Sequence, residues 1–219
     1  MQDEIELYAA QGSIAPELQA EFPGLRLLWV TVEARIGPSP RDLKRRLTEL
    51  SSRYRGENVI AMRTQPIPHA FRAFFRQVGL DPDVTRIPAE AAAVERLVHG
   101  GFRSRNVVDD ARLIAVIETG VPVWALDADL VDAGGLGIRV TTADDELGSG
   151  ESARPLGPGQ LAVADARLIH ALLFDDVASG HGVRRATKRA ALFAVGVEGV
   201  PLIHLEEALW IAVEALRTA

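Results

Sequence analysis

The sequence predicts one α/β domain of the α+β type, with a mixed or antiparallel sheet and flanking helices. Helical periodicity dominates the first half of the 219 residues, whereas short apolar runs separated by turns dominate the second half. The hydrophobic fraction of 47% is enough for a substantial core. Because the chain contains no internal repeat and no low-complexity linker, a single domain is expected over residues 1–219.

The first half contains one predicted strand and four predicted helices. The strand covers residues 25–35, where LRLLWVTVEAR follows a Pro-Gly pair and ends at a proline-rich turn. Apolar residues at helical spacing and glycine stops predict four helices, the first from residue 39 or 40 to 54 and the others over residues 69–78, 88–98 and 109–119. Either Asp109 or Asp110 is expected to cap the fourth helix, because aspartate side chains accept hydrogen bonds from the first free amides of a helix.

The second half is predicted to supply most of the sheet. Its apolar runs lie between turn residues, at 122–126, 136–141, 161–164, 168–174 and 190–197. Residues 201–219 are expected to form a closing amphipathic helix, with its clearest pattern from 204 to 217. Its leucines and valine share one face, whereas its glutamates lie on the others.

The composition and the N-terminus favour a cytoplasmic protein. The sequence has no cysteine, which excludes disulfides, thiolate zinc sites, iron–sulfur clusters and a cysteine nucleophile. The first residues, MQDEIELYAAQ, are acidic where a signal peptide would be basic. No apolar run approaches the ~20 residues that a membrane span needs. Neither secretion nor membrane insertion is therefore expected.

The charges are unevenly distributed along the chain. The net charge of −6 argues against non-specific coating of nucleic acid, since that affinity comes mainly from cations that neutralise phosphates. Residues 41–76 nevertheless hold nine basic residues against three acidic ones, and residues 118–151 hold eight acidic residues against Arg139 alone. A protein polarised in this way can meet RNA with one side. The alternative is that these charges are the solvated faces of ordinary helices and loops.

The sequence contains no recognisable catalytic or cofactor motif. The five histidines show no metal spacing such as HExxH, so surface or capping positions are expected for them, with no metal and no cofactor. The alternative is a histidine–carboxylate zinc site that only the fold assembles. The sequence has no GxSxG, P-loop or kinase signature, and its serines have no recognisable nucleophile setting. Gly134-Gly135-Leu136-Gly137 leads into a predicted strand rather than a helix, which disfavours a nucleotide loop.

Four short motifs follow one another in order after Phe102. They are Arg103-Ser-Arg-Asn106-Val-Val-Asp109, Pro122-Val-Trp124-Ala-Leu-Asp127-Ala-Asp129, Gly134-Gly135-Leu-Gly-Ile-Arg139 and Leu161-Ala-Val-Ala-Asp165. In this order they resemble the editing domain, called B3/B4, of the phenylalanyl-tRNA synthetase beta subunit. Segments near residues 69–79 and 86–88 look like the extension of its free-standing relatives. The resemblance covers about residues 22–200.

The resemblance implies a pocket for an aromatic amino acid or an aminoacyl-adenosine, and it implies tRNA or aminoacyl-tRNA as the partner. Binding residues are expected at matching motif positions and in the basic cluster before the last strand. These are Arg103, Asn106, Trp124, Gly134, Gly135, Arg139, Arg184 and Arg185. Arg139 has an alternative structural role, as the partner of Asp127 or Asp129.

The chain departs from the family pattern at the positions expected to help hydrolysis. Trp124 replaces the family's pocket histidine, and an indole N–H can donate a hydrogen bond but is no general base. The pocket glutamate falls near residues 187–194, where an apolar residue replaces it, and the family's glycine pair falls near Asp175 and Asp176. The scaffold is therefore better retained than the catalytic set.

Three functions remain open at this point. The leading prediction is a tRNA-binding or RNA-binding module that holds an aminoacylated tRNA 3′ end or a related amino-acid or nucleoside ligand, without DNA specificity. One alternative is a trans-editing hydrolase of mischarged tRNA, for which no catalytic residue is assigned. The other is a small-molecule or protein-binding domain that kept only the fold. The oligomeric state is not predicted.

Overall fold

The computed structural model describes residues 9–54, 56–175 and 177–217. This part of the chain contains seven α-helices and two sheets, one antiparallel and one mixed, which confirms the predicted α+β class. Most of the acidic N-terminal segment, Asp176 and the last two residues of the predicted closing helix lie outside the described residues.

The strands of the described residues are numbered along the chain. β1 to β10 are Ala10–Gln11, Ser13–Ile14, Arg26–Glu33, Val123–Asp127, Gly137–Val140, Glu146–Leu147, Arg154–Pro155, Leu161–Ala164, Ile169–Leu172 and Arg189–Gly196. The six strands predicted from apolar runs are β3, β4, β5, β8, β9 and β10, so all six predictions are confirmed. The other four strands have only two residues each, which is too short for a period-two pattern to be read.

The antiparallel sheet has the order β1-β3-β10-β4, and the mixed sheet has the order β2-β5-β8-β9-β6-β7. β10 pairs with β3 along eight residues and with β4 along five. All of its residues after Arg189 are buried, as expected of a central strand that is covered on both faces. In the mixed sheet, two strand pairs are parallel, β2 with β5 and β6 with β9, and the others are antiparallel.

The helices are numbered in the same way. α1 to α7 are Pro16–Glu21, Arg41–Arg53, Gly56–Met62, Pro66–Gln77, Pro88–His99, Val107–Thr119 and Leu202–Arg217. α2, α4, α5, α6 and α7 were predicted, although α4 begins three residues earlier than expected. The cause is a pair of prolines in its first turn, where a missing amide hydrogen costs nothing.

The predicted cap of α6 is wrong. The side chain of Asn106 caps this helix, and its Oδ1 accepts hydrogen bonds from the amides of Val108 and Asp109, both at 3.0 Å. Asp110 is instead buried and accepts hydrogen bonds from the hydroxyls of Ser39 and Ser104. It therefore joins α6 to the two segments that precede α2 and α6.

One main hydrophobic core lies between the two sheets and the helices. α7 packs against α6 and against the antiparallel sheet, while a smaller apolar cluster lies within the mixed sheet. The described residues therefore form one α+β domain. In the same residues, no helix is both long enough and apolar enough to cross a membrane.

Candidate functional site

A cavity of about 500 Å³ opens between α5, α6 and the start of β4. α5 ends at Gly100, whose left-handed conformation (φ 72°) turns the chain into the loop of residues 101–105 at the edge of the cavity. This loop contributes Arg103 and Arg105. The first motif of the B3/B4 resemblance therefore begins at this cavity.

Trp124 forms the inner wall of the cavity. Its side chain is only 5% exposed and stacks on Phe193, with the two rings 5.4 Å apart and nearly parallel. The indole Nε1–H donates a hydrogen bond of 2.9 Å to the backbone carbonyl of Asp175. Because the chain itself uses this donor, Trp124 can offer a ligand its ring but not its N–H.

Phe174, beside Trp124, has an unusual backbone conformation. Its φ of 64° lies in the left-handed region, which a bulky side chain rarely adopts. Four rings surround its own with centroids 5.2 to 5.9 Å away, those of Phe71, Phe74, Phe75 and Trp124. This packing holds the strained conformation, and strained backbone occurs preferentially at ligand sites.

The charges around the cavity are not all neutralised within the protein. Three of its arginines are engaged: Arg96 donates to the carbonyl of Ser51, Arg105 pairs with Glu95, and Arg112 donates to the carbonyl of Val123. Arg86 and Arg103 also line the cavity, and within the described residues neither guanidinium makes an ion pair or hydrogen bond. Two cationic groups are thus available to an anionic ligand.

The predicted binding residues are only partly brought together. Arg103 and Trp124 line the cavity. Asn106 does not line it, but its Nδ2 donates to Asp109 Oδ2 at 2.7 Å and so holds a cavity carboxylate in place. Asp175, one of the two residues matched to the family's glycine pair, also lines the cavity, and Asp176 lies outside the described residues.

Gly134 and Gly135 form a tight turn before β5 and do not line the cavity. The Gly134 amide donates to Asp132 Oδ1 at 2.9 Å. Gly135 has a φ of 85°, and a Cβ at this position would lie 2.6 Å from Cζ2 of Trp29. The conformation and the close approach of this indole both require glycine at 135.

We expect Gly135→Ala to lower the free energy of unfolding by about 1–3 kcal/mol, because it adds left-handed strain and a steric clash. Gly134→Ala is the matched control, since its φ is not positive and its Cβ would meet only Asp132 Oδ1, at 3.3 Å. Urea denaturation of both variants measures the difference. Equal stability of the two variants would contradict the structural role of Gly135.

Arg139 pairs with Asp145, so the predicted pairing with Asp127 or Asp129 is wrong. Its two terminal nitrogens each lie 2.7 Å from a different carboxylate oxygen of Asp145. The Arg139 guanidinium and the amide of Thr142 hold the pKa of the Asp145 carboxyl well below its usual range. Arg139 therefore fixes the turn after β5 and lies away from the cavity.

Arg184 and Arg185 are exposed on the loop before β10. Arg184 lies 3.7 Å from Asp127 Oδ2, at the end of β4 opposite Trp124. Asp127 is three positions further along β4 than Trp124, which corresponds to roughly 10 Å. Neither arginine lines the cavity, so the structure does not bring them together with Arg103.

The structure also brings together four polar side chains that the sequence did not connect. His170 and His181 are 0% and 2% exposed, so the prediction of surface or capping positions is wrong for both. Their Nδ1 atoms are 2.9 Å apart. His170 Nε2 lies 2.9 Å from Asp165 Oδ2, and His181 Nε2 lies 3.1 Å from the hydroxyl oxygen of Ser149. We call this chain Ser149–His181–His170–Asp165 the histidine relay.

The environment of the histidine relay sets its charges. Burial alone would raise the pKa of the Asp165 carboxyl, but the amides of Asp132, Arg167 and Leu168 and the His170 ring lower it to about 2. Burial, and then the neighbouring His170, lower the pKa of His181, and this outweighs the opposite effect of Asp165. At neutral pH Asp165 is therefore ionised and His181 is neutral.

The only local sequence signal for the histidine relay is Gly148-Ser149-Gly150, which lacks the flanking pattern of a GxSxG motif. The four side chains come from separate segments, so their spacing carries no periodicity. Within the described parts of the chain, no three His, Asp or Glu side chains are grouped so that they could hold a metal ion.

Comparison with known proteins adds no family assignment. No protein-family model matches the chain, and no curated protein matches it.

Proposed function

We propose that the cavity between α5, α6 and β4 binds the 3′ end of tRNA or aminoacyl-tRNA, and that the domain is a tRNA-binding module of the B3/B4 type. The observation that carries this proposal is the position of Arg103. This arginine of the first resembling motif has no partner in the described residues and lies at the cavity that Trp124 closes.

The size and lining of the cavity support such a ligand. A volume of about 500 Å³ falls within the range of small-molecule sites, and it suits a terminal nucleoside with an attached amino acid. Phe102, Trp124 and Phe174 supply aromatic surface for a base or an aromatic side chain. Arg86 and Arg103 supply cations for the phosphate.

The cavity favours binding over editing. Trp124 stands where the family has its histidine, and its N–H already bonds to the backbone. His99 is the one histidine among the cavity residues, and it is exposed at the end of α5. The buried carboxylate among the described lining residues is that of Asp110, and it already accepts hydrogen bonds from the hydroxyls of Ser39 and Ser104 and from the amide of Arg105. We therefore propose a binding function for this cavity rather than an editing function.

The test is filter binding of charged and uncharged tRNA at two salt concentrations. We expect Arg103→Ala to weaken binding by roughly 5- to 30-fold and to lower the salt slope by about one, because one phosphate contact is lost. Arg185→Ala is the matched control: it removes the same charge from an exposed loop outside the cavity.

Two results would overturn this assignment. Binding that does not depend on salt would remove tRNA as the partner and favour the small-molecule or protein-binding alternative. Equal losses in the Arg103 and Arg185 variants would show general attraction rather than a site at the cavity. The same preparation should also be tested on phenylalanine tRNA that is mischarged with tyrosine. Deacylation faster than in buffer alone would support the trans-editing alternative.

A further inference from the structure

We propose that the histidine relay activates Ser149 as a nucleophile towards activated acyl groups, such as simple esters. This second site is independent of the proposed tRNA function, because none of its four residues lines the cavity. The reaction class is acyl transfer to serine followed by hydrolysis.

Ser149 is the one member of the relay that faces solvent. It is exposed, whereas His170, His181 and the side chain of Asp165 are almost fully buried. Gly148 and Gly150 flank it with φ values of 84° and 63°, conformations that glycine adopts without strain. The sharp turn presents the hydroxyl outward while its oxygen stays 3.1 Å from His181 Nε2. An external reagent can therefore reach it.

Counting protons gives the relay one direction. When both imidazole rings are neutral, the ionised Asp165 can only accept, so His170 carries its proton on Nε2. His170 Nδ1 is then an acceptor, and it receives the Nδ1–H of His181. This leaves His181 Nε2 without a proton, pointing at Ser149. In this protonation state every hydrogen bond is satisfied with Ser149 donating to His181, which is the arrangement that a general base needs.

The proposed reaction has two balanced steps. The Ser149 oxygen attacks the carbonyl carbon of the ester, and its proton passes to His181 Nε2. The C–O bond to the alcohol then breaks, the alcohol leaves with that proton, and Ser149 is acylated. Water, deprotonated by His181, next attacks the acyl carbon, and the acid leaves as the Ser149 hydroxyl is restored. Ester and water give acid and alcohol.

The test uses the full chain, a fluorophosphonate probe and p-nitrophenyl acetate. We expect the probe to label Ser149, as located by peptide mass spectrometry. We also expect Ser149→Ala to lose labelling and to slow release of p-nitrophenol at least ~100-fold. Ser152→Ala is the matched control, since Ser152 is an exposed serine of the same turn that makes no hydrogen bond to the relay.

The pH dependence provides a readout that a structural role for the relay would not give. The labelling rate requires neutral His181, so it should fall at low pH with a midpoint below the ordinary histidine value of 6.5. The charged or titratable groups that shift its pKa are His170 and Asp165. Labelling no faster than in heat-denatured protein, labelling of another residue, or equal labelling of the Ser149 and Ser152 variants would overturn the proposal.

Discussion

Replacing Arg72 by methionine is expected to lower the free energy of unfolding by about 3–5 kcal/mol. The side chains of Arg72 and Glu90 are 7% and 3% exposed, and an Arg72 nitrogen lies 3.0 Å from a Glu90 oxygen. Methionine fills similar volume but leaves the Glu90 carboxylate buried without its closest cation. A buried charge that has lost its partner is among the most destabilising features in a protein.

Chemical denaturation with circular dichroism measures this loss. Asp83→Asn is the matched control, because Asp83 also pairs with Arg72, at 2.8 Å, but is half exposed. The control should cost under about 1 kcal/mol, as is usual for exposed ion pairs. If the two variants had similar stability, the Arg72–Glu90 pair would not have the importance that its burial indicates.

The Arg72–Glu90 pair also connects the fold to the candidate site. Arg72 belongs to α4, and Glu90 to the first turn of α5, the helix that forms one wall of the cavity. The pair therefore fixes how α5 lies against α4. The sequence placed Arg72 in a basic segment and gave no sign that its partner is buried.

The charge polarity of the sequence is reduced in the fold by ion pairs. Several arginines of the basic segment pair with acids from elsewhere in the chain: Arg46 with Glu118, Arg63 with Asp83 and Arg72 with Glu90. At the cavity itself, Arg86 and Arg103 are the arginines without an ion pair or hydrogen bond among the described residues. Local charge counts miss this, because pairing across the fold decides which charges stay unneutralised.

The elements that the sequence predicted are those whose signals are local. β10 was predicted because a continuous apolar run is sufficient evidence of a buried strand, and α5 and α6 because glycine ends each of them. The two-residue strands depend on pairing with distant partners, which no local pattern encodes. α3 was also missed, but for a different reason: the sequence has no clear signal where this helix ends.

The candidate site was predictable only in part, for the same physical reason. Arg103 and Trp124 were found through the order of the resembling motifs, whereas Gly135 and Arg139 belong to the same motifs but serve the fold. The histidine relay was missed because its residues are up to 32 positions apart, as between Ser149 and His181. Only tertiary packing brings these side chains within hydrogen-bond distance.

Replacing Asp165 by asparagine is expected to slow the labelling of Ser149 by on the order of 10²–10⁴-fold. Oδ1 of Asp165 accepts hydrogen bonds from the amides of Arg167 and Leu168, so an asparagine would place its oxygen there. Its NH₂ group would then face His170 Nε2 and could only donate. His170 would have to carry its proton on Nδ1, so His170 would become the donor and His181 Nδ1 the acceptor of the hydrogen bond between them.

The reversed relay would put a proton on His181 Nε2, the atom that should accept the proton of Ser149. Nitrogen-15 NMR of the histidine rings should show this exchange of tautomers, and labelling rates should be compared per folded molecule. The asparagine NH₂ group would also face the Asp132 amide, so that two donors meet where the carboxylate accepted a hydrogen bond. We therefore expect the free energy of unfolding to fall by about 1–3 kcal/mol.

Asp129→Asn is the matched control for the reversed relay, because Asp129 pairs with Arg189 at the surface and, among the described residues, neither histidine side chain bonds to it. This variant should label Ser149 at the wild-type rate. A folded Asp165→Asn protein that also labels at that rate would show that the order of protons in the relay does not control the reactivity of Ser149.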